Sequence, residues 1–322
     1  YIRPFALGEL KDAEKMAYFR QKQAEFEQSP TVMYAEVTAC KWEYFHLIFQ
    51  QEGKKTLASA AYQQFLEENR SWLIPYAAFC FMRDKFHTAN FHQWEMYSSY
   101  EKDLVEDLFT QPETAEDANL HLYLQFHAHR QLSETVAYAS SKGVVLKGDI
   151  PIGISPESVE AWMEPHLFNL NSQTGAPPDP FSENGQNWGF PTYNWAEMQH
   201  DGYAWWKKRF QKMATYFKAY RIDHVLGFFR IWRMNEGDVY GLRGQFDPAL
   251  PLTENEIRSF GMWFEYHRMT HPYIREHILD DLFGKDKDAI KNVFLELVSP
   301  GVYRFQPEYD NQRKLEAFFQ EE

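Results

Sequence analysis

Along the first 140 residues apolar positions recur at spacings of three and four, with polar residues between them, in Thr56 to Glu68, Trp72 to Lys85 and Ala118 to Ser141. A period near 3.6 puts such positions on one side of a helix, so this region is predicted to be helical and to pack. The distribution of breakers agrees: residues 1–140 hold two glycines and four prolines, whereas residues 141–200 hold six glycines and seven prolines. A short apolar run, Val144 to Asp149, reads as a buried strand ending in an acid and a turn at Ile150-Pro151. From Asn171 to Tyr193 the chain is too rich in glycine, proline and amides for helix or strand and is expected to be an ordered loop. Then comes a predicted helix, Tyr203 to Lys218, in which Trp206, Phe210, Met213, Phe217 and Tyr220 recur at steps of four and three and form a core stripe. A predicted strand, 219–224, follows. Helices, strand, loop, helix and strand in that order give an α/β class with parallel strand pairing. Beyond Trp232 the pattern weakens, and residues 247–322, with short amphipathic pieces at Glu254 to Arg268, Pro272 to Phe283 and Lys287 to Leu297, read as a helical excursion.

Composition narrows the function classes. A formal net charge of -13, from 33 basic and 46 acidic residues, opposes a polyanionic partner, so no nucleic acid is expected. Two cysteines, Cys40 and Cys80, are too few for a disulfide framework and fit a reducing compartment, with the cytoplasm as the expectation. No apolar run reaches the roughly 20 residues that cross a bilayer. Aromatic content of 17% suits either a carbohydrate-handling surface or a large helical core.

Candidate chemistry concentrates at two places. Arg221 and Asp223, two apart in a predicted strand, point to the same face and can converge on one small volume. A guanidinium beside a carboxylate keeps it ionised, as a carboxylate nucleophile requires, although a purely structural ion pair would read the same way. Asp149 is a second acid at a strand end. The long loop carries Phe181, Trp188, Phe190 and Tyr193, aromatics that need burial or a ligand, beside the amides Gln186 and Asn187. Two strand-end carboxylates and such a loop describe a sugar site, because flat rings stack on pyranoses while amides, carboxylates and guanidinium groups bond to hydroxyls. His127 and His129 lie in a helical stretch with no third ligand in view, and no metal is predicted.

Gly148-Asp149-Ile150-Pro151-Ile152, Gly175-Ala176-Pro177-Pro178-Asp179, Gly185-Gln186-Asn187-Trp188-Gly189-Phe190-Pro191 and Arg221-Ile222-Asp223-His224 occur in the order and approximate spacing of the 4-α-glucanotransferases, or amylomaltases. The chain resembles that family over nearly its whole length, and most of all the plant-cytosolic type and its bacterial relatives, through Trp72 to Arg83, Gly185 to Trp195 and Gly227 to Trp232. The resemblance implies a partial (β/α)8 TIM barrel with a large helical insertion over 1–140, barrel strands with a loop-rich active-site insertion over 141–235, and a helical insertion or excursion over 236–322. It implies transfer of α-1,4-glucan segments between maltose or malto-oligosaccharides and glycogen-like acceptors, without a cofactor. Hydrolysis of the same glucans, or glucan binding without catalysis, are the alternatives.

By the same resemblance Asp223 is the nucleophile, Arg221 orients it and keeps it ionised, and Asp149 binds hydroxyls of the attacked glucose. His224 is expected to touch sugar hydroxyls or to pack as a core histidine. Trp188, Gln186 and Asn187 would line the glucan path, with Phe181 projecting from a lid-like loop. Pro180 stands where the commoner bacterial pattern has a tyrosine before the phenylalanine, which removes one stacking surface. The family's acid lies in a Gly-Glu-Asp-Leu-Gly motif and a third carboxylate in a later His-Asp motif. Neither motif occurs here, and the chain is expected to be a fragment; Glu236, in a turn, is the one nearby glutamate that could stand in.

Overall fold

The computed structural model describes residues 2–321. The helices of the first part are α1 (Ala13–Gln28), α2 (Tyr34–Leu57), α3 (Ala60–Phe86), α4 (Lys102–Asp107) and α5 (Ala115–Ser141). Next come β1 (Lys147–Ile150), α6 (Val159–Met163), β2 (Phe168–Asn169), β3 (Ser172–Ala176), β4 (Gln186–Asn187), β5 (Thr192–Tyr193), α7 (Trp195–His200), α8 (Ala204–Ala214) and β6 (Ala219–Ile222). The last part holds β7 (Ile231–Asn235), β8 (Gln245–Asp247), α9 (Glu254–Ser259), α10 (Tyr266–Thr270), β9 (Ile274–Arg275), α11 (Glu276–Phe283), α12 (Lys287–Phe294), β10 (Leu295–Ser299), β11 (Val302–Phe305) and α13 (Gln312–Glu321). Two compact units divide the chain, Tyr1–Phe168 with Tyr193–Asp223, and Asn169–Thr192 with His224–Glu322.

In the first unit the helical periodicity is realised as α1, α2, α3 and α5. Asp12 caps α1 by accepting from the backbone N–H groups of Glu14 and Lys15, and Ser59 caps α3 through Tyr62 N–H, each meeting a donor the helix itself leaves unpaired. Met16, Phe19, Tyr44, Ile48, Leu120 and Tyr123 from α1, α2 and α5 form one buried cluster. A parallel pair, β1 and β6, follows, with Asp149 opposite Arg221 and Gly148 opposite Tyr220. α8 lies over Gly148, where a Cβ would sit 2.4 Å from Met213 Cε and 2.6 Å from Phe217 Cδ2, so only glycine admits this approach.

Three expectations change here. The strand begins at Lys147 rather than Val144, because Gly143 turns the chain at a φ of +73° after α5 and pairing starts only where Ala219 lies alongside; Val144 and Val145 are exposed. α8 ends at Ala214, four residues early, because Tyr216 turns to bond His129 Nδ1 at 2.8 Å and Phe217 turns onto Gly148. Tyr220, assigned to the core stripe, is exposed.

The second unit carries an antiparallel sheet of order β4-β3-β7-β8 and a three-stranded sheet of order β10-β11-β9. Leu279, Phe294 and Leu295 are buried there with Ile274, Tyr303 and Phe318 packed against them. Residues 247–322 therefore combine helices with strands, since two-residue β9 and the five- and four-residue β10 and β11 are too short to stamp an alternating pattern on the sequence. The segment Asn171 to Tyr193 is likewise not loop throughout. β3 is a buried strand of mostly polar side chains, hidden from a hydrophobic reading, and two of them are paired across the fold: Ser172 Oγ lies 3.0 Å from Thr192 Oγ1, and Gln173 donates to Glu236 O at 2.7 Å while accepting from Arg313 at 2.7 Å.

Candidate active site

The register of β1 against β6 decides the first cluster. Because Asp149 and Arg221 are direct partners on adjacent parallel strands, their side chains leave the same face, and Arg221 meets the carboxylate with a two-pronged fork: Nε donates to Oδ1 at 2.9 Å and Nη2 to Oδ2 at 2.5 Å. Asp223 extends the pairing one residue past the strand, its N–H donating to Ile150 O at 3.1 Å, and its carboxylate lies 3.9 Å from Arg221 Nη2. Arg221 thus spends its hydrogen bonds on Asp149 and offers Asp223 charge at longer range. The hydrogen bonds and charge of Arg221 hold the Asp149 carboxyl below the usual carboxylate range, and Asp149 raises Arg221 in return. With side-chain exposures of 54%, 58% and 53% for Asp149, Arg221 and Asp223, water screens these charges. What the cluster supplies is orientation of two carboxylates around one cation at an open surface.

The second cluster is built in the other unit on the β3–β4 hairpin. β4 pairs with β3 through Ala176–Gln186 and Gly175–Asn187, and the ladder continues irregularly where Trp188 N–H donates to Thr174 O at 2.9 Å and Thr174 N–H to Phe190 O at 2.8 Å. Gly175 is required, since a Cβ there would sit 1.9 Å from Gln186 O. Trp188 stacks on Phe190 (centroids 5.9 Å apart, 28° between planes), meets the His224 ring edge-on at 5.1 Å, and donates its indole N–H to Gln186 Oε1 at 2.9 Å. Asn187 Nδ2 donates to Asp238 O at 2.9 Å. His224 does not continue the strand, which ends at Ile222; it sits in the left-handed region, φ 46° and ψ 53°, a conformation uncommon for a residue with a Cβ. From there its carbonyl accepts Gly227 N–H at 2.8 Å. Phe181 stands at the hairpin tip, 97% exposed, on a turn in which Asp179 Oδ1 accepts from the N–H groups of Phe181 and Ser182 at 2.8 Å.

The structure thus brings Asp149, Arg221 and Asp223 together, and separately Gln186, Trp188 and His224, with Asn187 beside them. Phe181 touches no ring of either cluster among the described contacts. The glutamate at 236 contributes its backbone, whose carbonyl accepts from Gln173 and Arg313, while its side chain is exposed. Sequence reasoning missed Asp238, buried, accepting Asn235 N–H at 3.3 Å, 3.4 Å from Arg243 Nη1, and positioning Asn187; its signal was an acid closing the turn Asn235-Glu236-Gly237. Among the described residues no group of three or more His, Cys, Asp or Glu could hold a metal ion, and no helix is long and apolar enough to cross a membrane.

In rice (Oryza sativa subsp. japonica) the 4-alpha-glucanotransferase DPE2 is 43% identical over 323 residues, which cover 98% of this chain and 33% of that protein. In Chlamydia pneumoniae a 4-alpha-glucanotransferase is 34% identical over 224 residues, covering 69% of this chain and 41% of the relative. This chain therefore spans between about a third and two fifths of the length of these curated relatives. Among solved structures, an amylomaltase from Streptococcus agalactiae in complex with acarbose superposes with a TM-score of 0.65 at 24% identity, over 90% of this chain and 63% of that one. One from Corynebacterium glutamicum gives 0.60 at 23%, over 76% and 34%. At such identities these two speak for a shared fold alone. Residues 1–297 match the family profile described as 4-alpha-glucanotransferase, glycoside hydrolase family 77, and to that family this chain belongs.

Proposed function

We propose that this chain is part of an enzyme that transfers α-1,4-glucan segments from maltose or malto-oligosaccharides to glucan acceptors, glycogen-like ones included, with retention at the anomeric carbon. The observation that carries the reading is the parallel register of β1 and β6, which sets Arg221 between Asp149 and Asp223 inside the matched motifs. Asp223 attacks the anomeric carbon of the donor, the bond from that carbon to the leaving oxygen breaks, and a glycosyl ester on Asp223 results. An acceptor hydroxyl then attacks the same carbon and releases Asp223. Asp149, with its fork of hydrogen bonds from Arg221, binds hydroxyls of the attacked glucose. Trp188 offers the glucan a stacking face, Gln186, Asn187 and His224 polar contacts, and Phe181 a projecting ring. The acid that protonates the leaving oxygen and the third carboxylate belong to motifs this chain does not contain. No cofactor enters such a reaction.

On the same reading β1 and β6 are two strands of a (β/α)8 barrel, with residues 1–140 and 236–322 as insertions around the barrel residues of 141–235. The two free cysteines, Cys40 and Cys80, support a cytoplasmic setting. The test is Asp223→Asn in a protein carrying this chain together with the parts of its relatives that it does not span. Maltose and glycogen are supplied, and free glucose and chain-length redistribution are followed. Removal of a covalent catalyst is expected to lower kcat by about a thousandfold or more while leaving glucan affinity in place. Retention of more than about a thousandth of the wild-type kcat would exclude Asp223 as nucleophile.

A further inference from the structure

Within the helical part of the first unit, α2, α3 and α5 border a cavity of about 710 Å³ that none of the candidate site residues above lines. That volume lies in the range of small-molecule sites. Its floor is organised. His121, 7% exposed, places Nε2 3.2 Å from Asp84 Oδ2, while Arg83 donates from Nε to Asp84 Oδ1 at 2.8 Å, so the carboxylate is braced from two sides. Burial favours a neutral Asp84, yet the hydrogen bonds from His121 and Arg83 outweigh it and hold the carboxyl below its usual range. The partly buried Trp42 meets the His121 ring edge-on at 5.8 Å and also lines the space.

The lining selects a ligand class. Arg83 and Lys85 repel a cation, whereas Asp84, Glu113 and Asp117 repel an anion, and with both signs interspersed neither is favoured. A purely apolar guest would strip water from these charges without replacing its hydrogen bonds. A neutral polyhydroxylated ring avoids both penalties, with an indole to cover its apolar face, donors from the guanidinium and acceptors from the carboxylates, of which Asp84 is already fixed in place. We propose that this cavity is a second binding site, for a segment of neutral oligosaccharide. The polyol class follows from the lining; its identification as α-1,4-glucan rests on the transferase reading above.

The test is isothermal titration of the full chain with maltoheptaose, with inorganic phosphate as an anionic control and circular dichroism to establish folding. Two classes of site are expected. Trp42→Ala and the exposed Asp117→Ala should each weaken one class by about tenfold or more, and Trp188→Ala the other. Asp117→Ala keeps the test decisive should Trp42→Ala fail to fold. If folded Asp117→Ala binds maltoheptaose as the wild type does, or phosphate competes for the site, the proposal is overturned. A single class of site lost only with Trp188 overturns it while leaving the transferase reading intact. A single class lost only with Trp42 and Asp117 supports it and removes Trp188 from the glucan path. No binding at all overturns it.

Discussion

Replacing Trp188 by alanine separates two roles that its position allows, holding the β3–β4 hairpin and stacking on a sugar. Its indole makes two ring contacts, to Phe190 at 5.9 Å and His224 at 5.1 Å, and one hydrogen bond to Gln186 at 2.9 Å. At about 0.5–1.5 kcal/mol per aromatic pair and about 0.5–1 kcal/mol for an exposed hydrogen bond, discounted because the side chain is only partly buried, truncation should cost the second unit about 1–3 kcal/mol. In a calorimetric scan that is a fall in Tm of several degrees, at roughly 2–4 °C per kcal/mol for a body of this size. If a pyranose also stacks on the free face, glucan affinity should fall by a further ~1–3 kcal/mol, about 5- to 150-fold in Kd, measured by titration with maltoheptaose well below the lowered Tm. A lowered Tm with unchanged affinity would refute the stacking role and leave the tryptophan as an anchor of its hairpin. An unchanged Tm would refute the contact energies themselves.

Other perturbations test the frame around the carboxylates. Gly148→Ala should destabilise the first unit by about 1–3 kcal/mol in urea unfolding, because the new methyl group meets the Phe217 ring at 2.6 Å; full stability would mean that Met213 and Phe217 are free to move aside. Asp149→Asn should leave the urea midpoint essentially where it is, since the pair with Arg221 is solvent-screened, and a clear fall in the midpoint would show that the fork holds β1 to β6. Burial pushes His127 down to about 4 from 6.5, so the unfolded chain takes up a proton that the folded chain refuses. Its contribution is complete above pH 6.5 and is lost as pH falls toward 4, on the order of 3 kcal/mol; urea melts at pH 7, 5.5 and 4 should show that loss, and His127→Leu should abolish it.

Much of this was legible in the sequence. The helices α3 and α5 declared themselves by period, and the Arg221/Asp223 spacing with Asp149 upstream identified the first cluster before any strand pairing was known. What periodicity could not give was partner choice. Arg221 reads as the companion of Asp223, two residues away, yet its hydrogen bonds go to Asp149 across the strand pair, a preference fixed by the register of β1 against β6. β3 escaped notice because Ser172, Gln173 and Thr174 are polar and buried, and the partners of Gln173 come from residues as distant as Glu236 and Arg313. The left-handed conformation of His224, from which its carbonyl accepts Gly227 N–H, was not legible because nothing in a single sequence marks a non-glycine residue for it.

The pairing of Asp149 with Arg221 also has a kinetic meaning. These residues are 72 apart in sequence and sit on parallel strands, which no tight turn can join. For a flexible chain, closing a loop of that length costs on the order of 4 kcal/mol of entropy before any contact repays it, and contacts of such range form late and slow folding. α3 meets α5 over a comparable span, Tyr62 and Phe65 against Phe126, whereas the β3–β4 hairpin is assembled from much nearer neighbours. During synthesis the carboxylate cluster cannot exist until β6 has left the ribosome, by which time α3 and α5 are both available to pack. An intermediate trapped before that point would hold nearly all the helices of the first unit and still lack the pairing of Asp149 with Arg221.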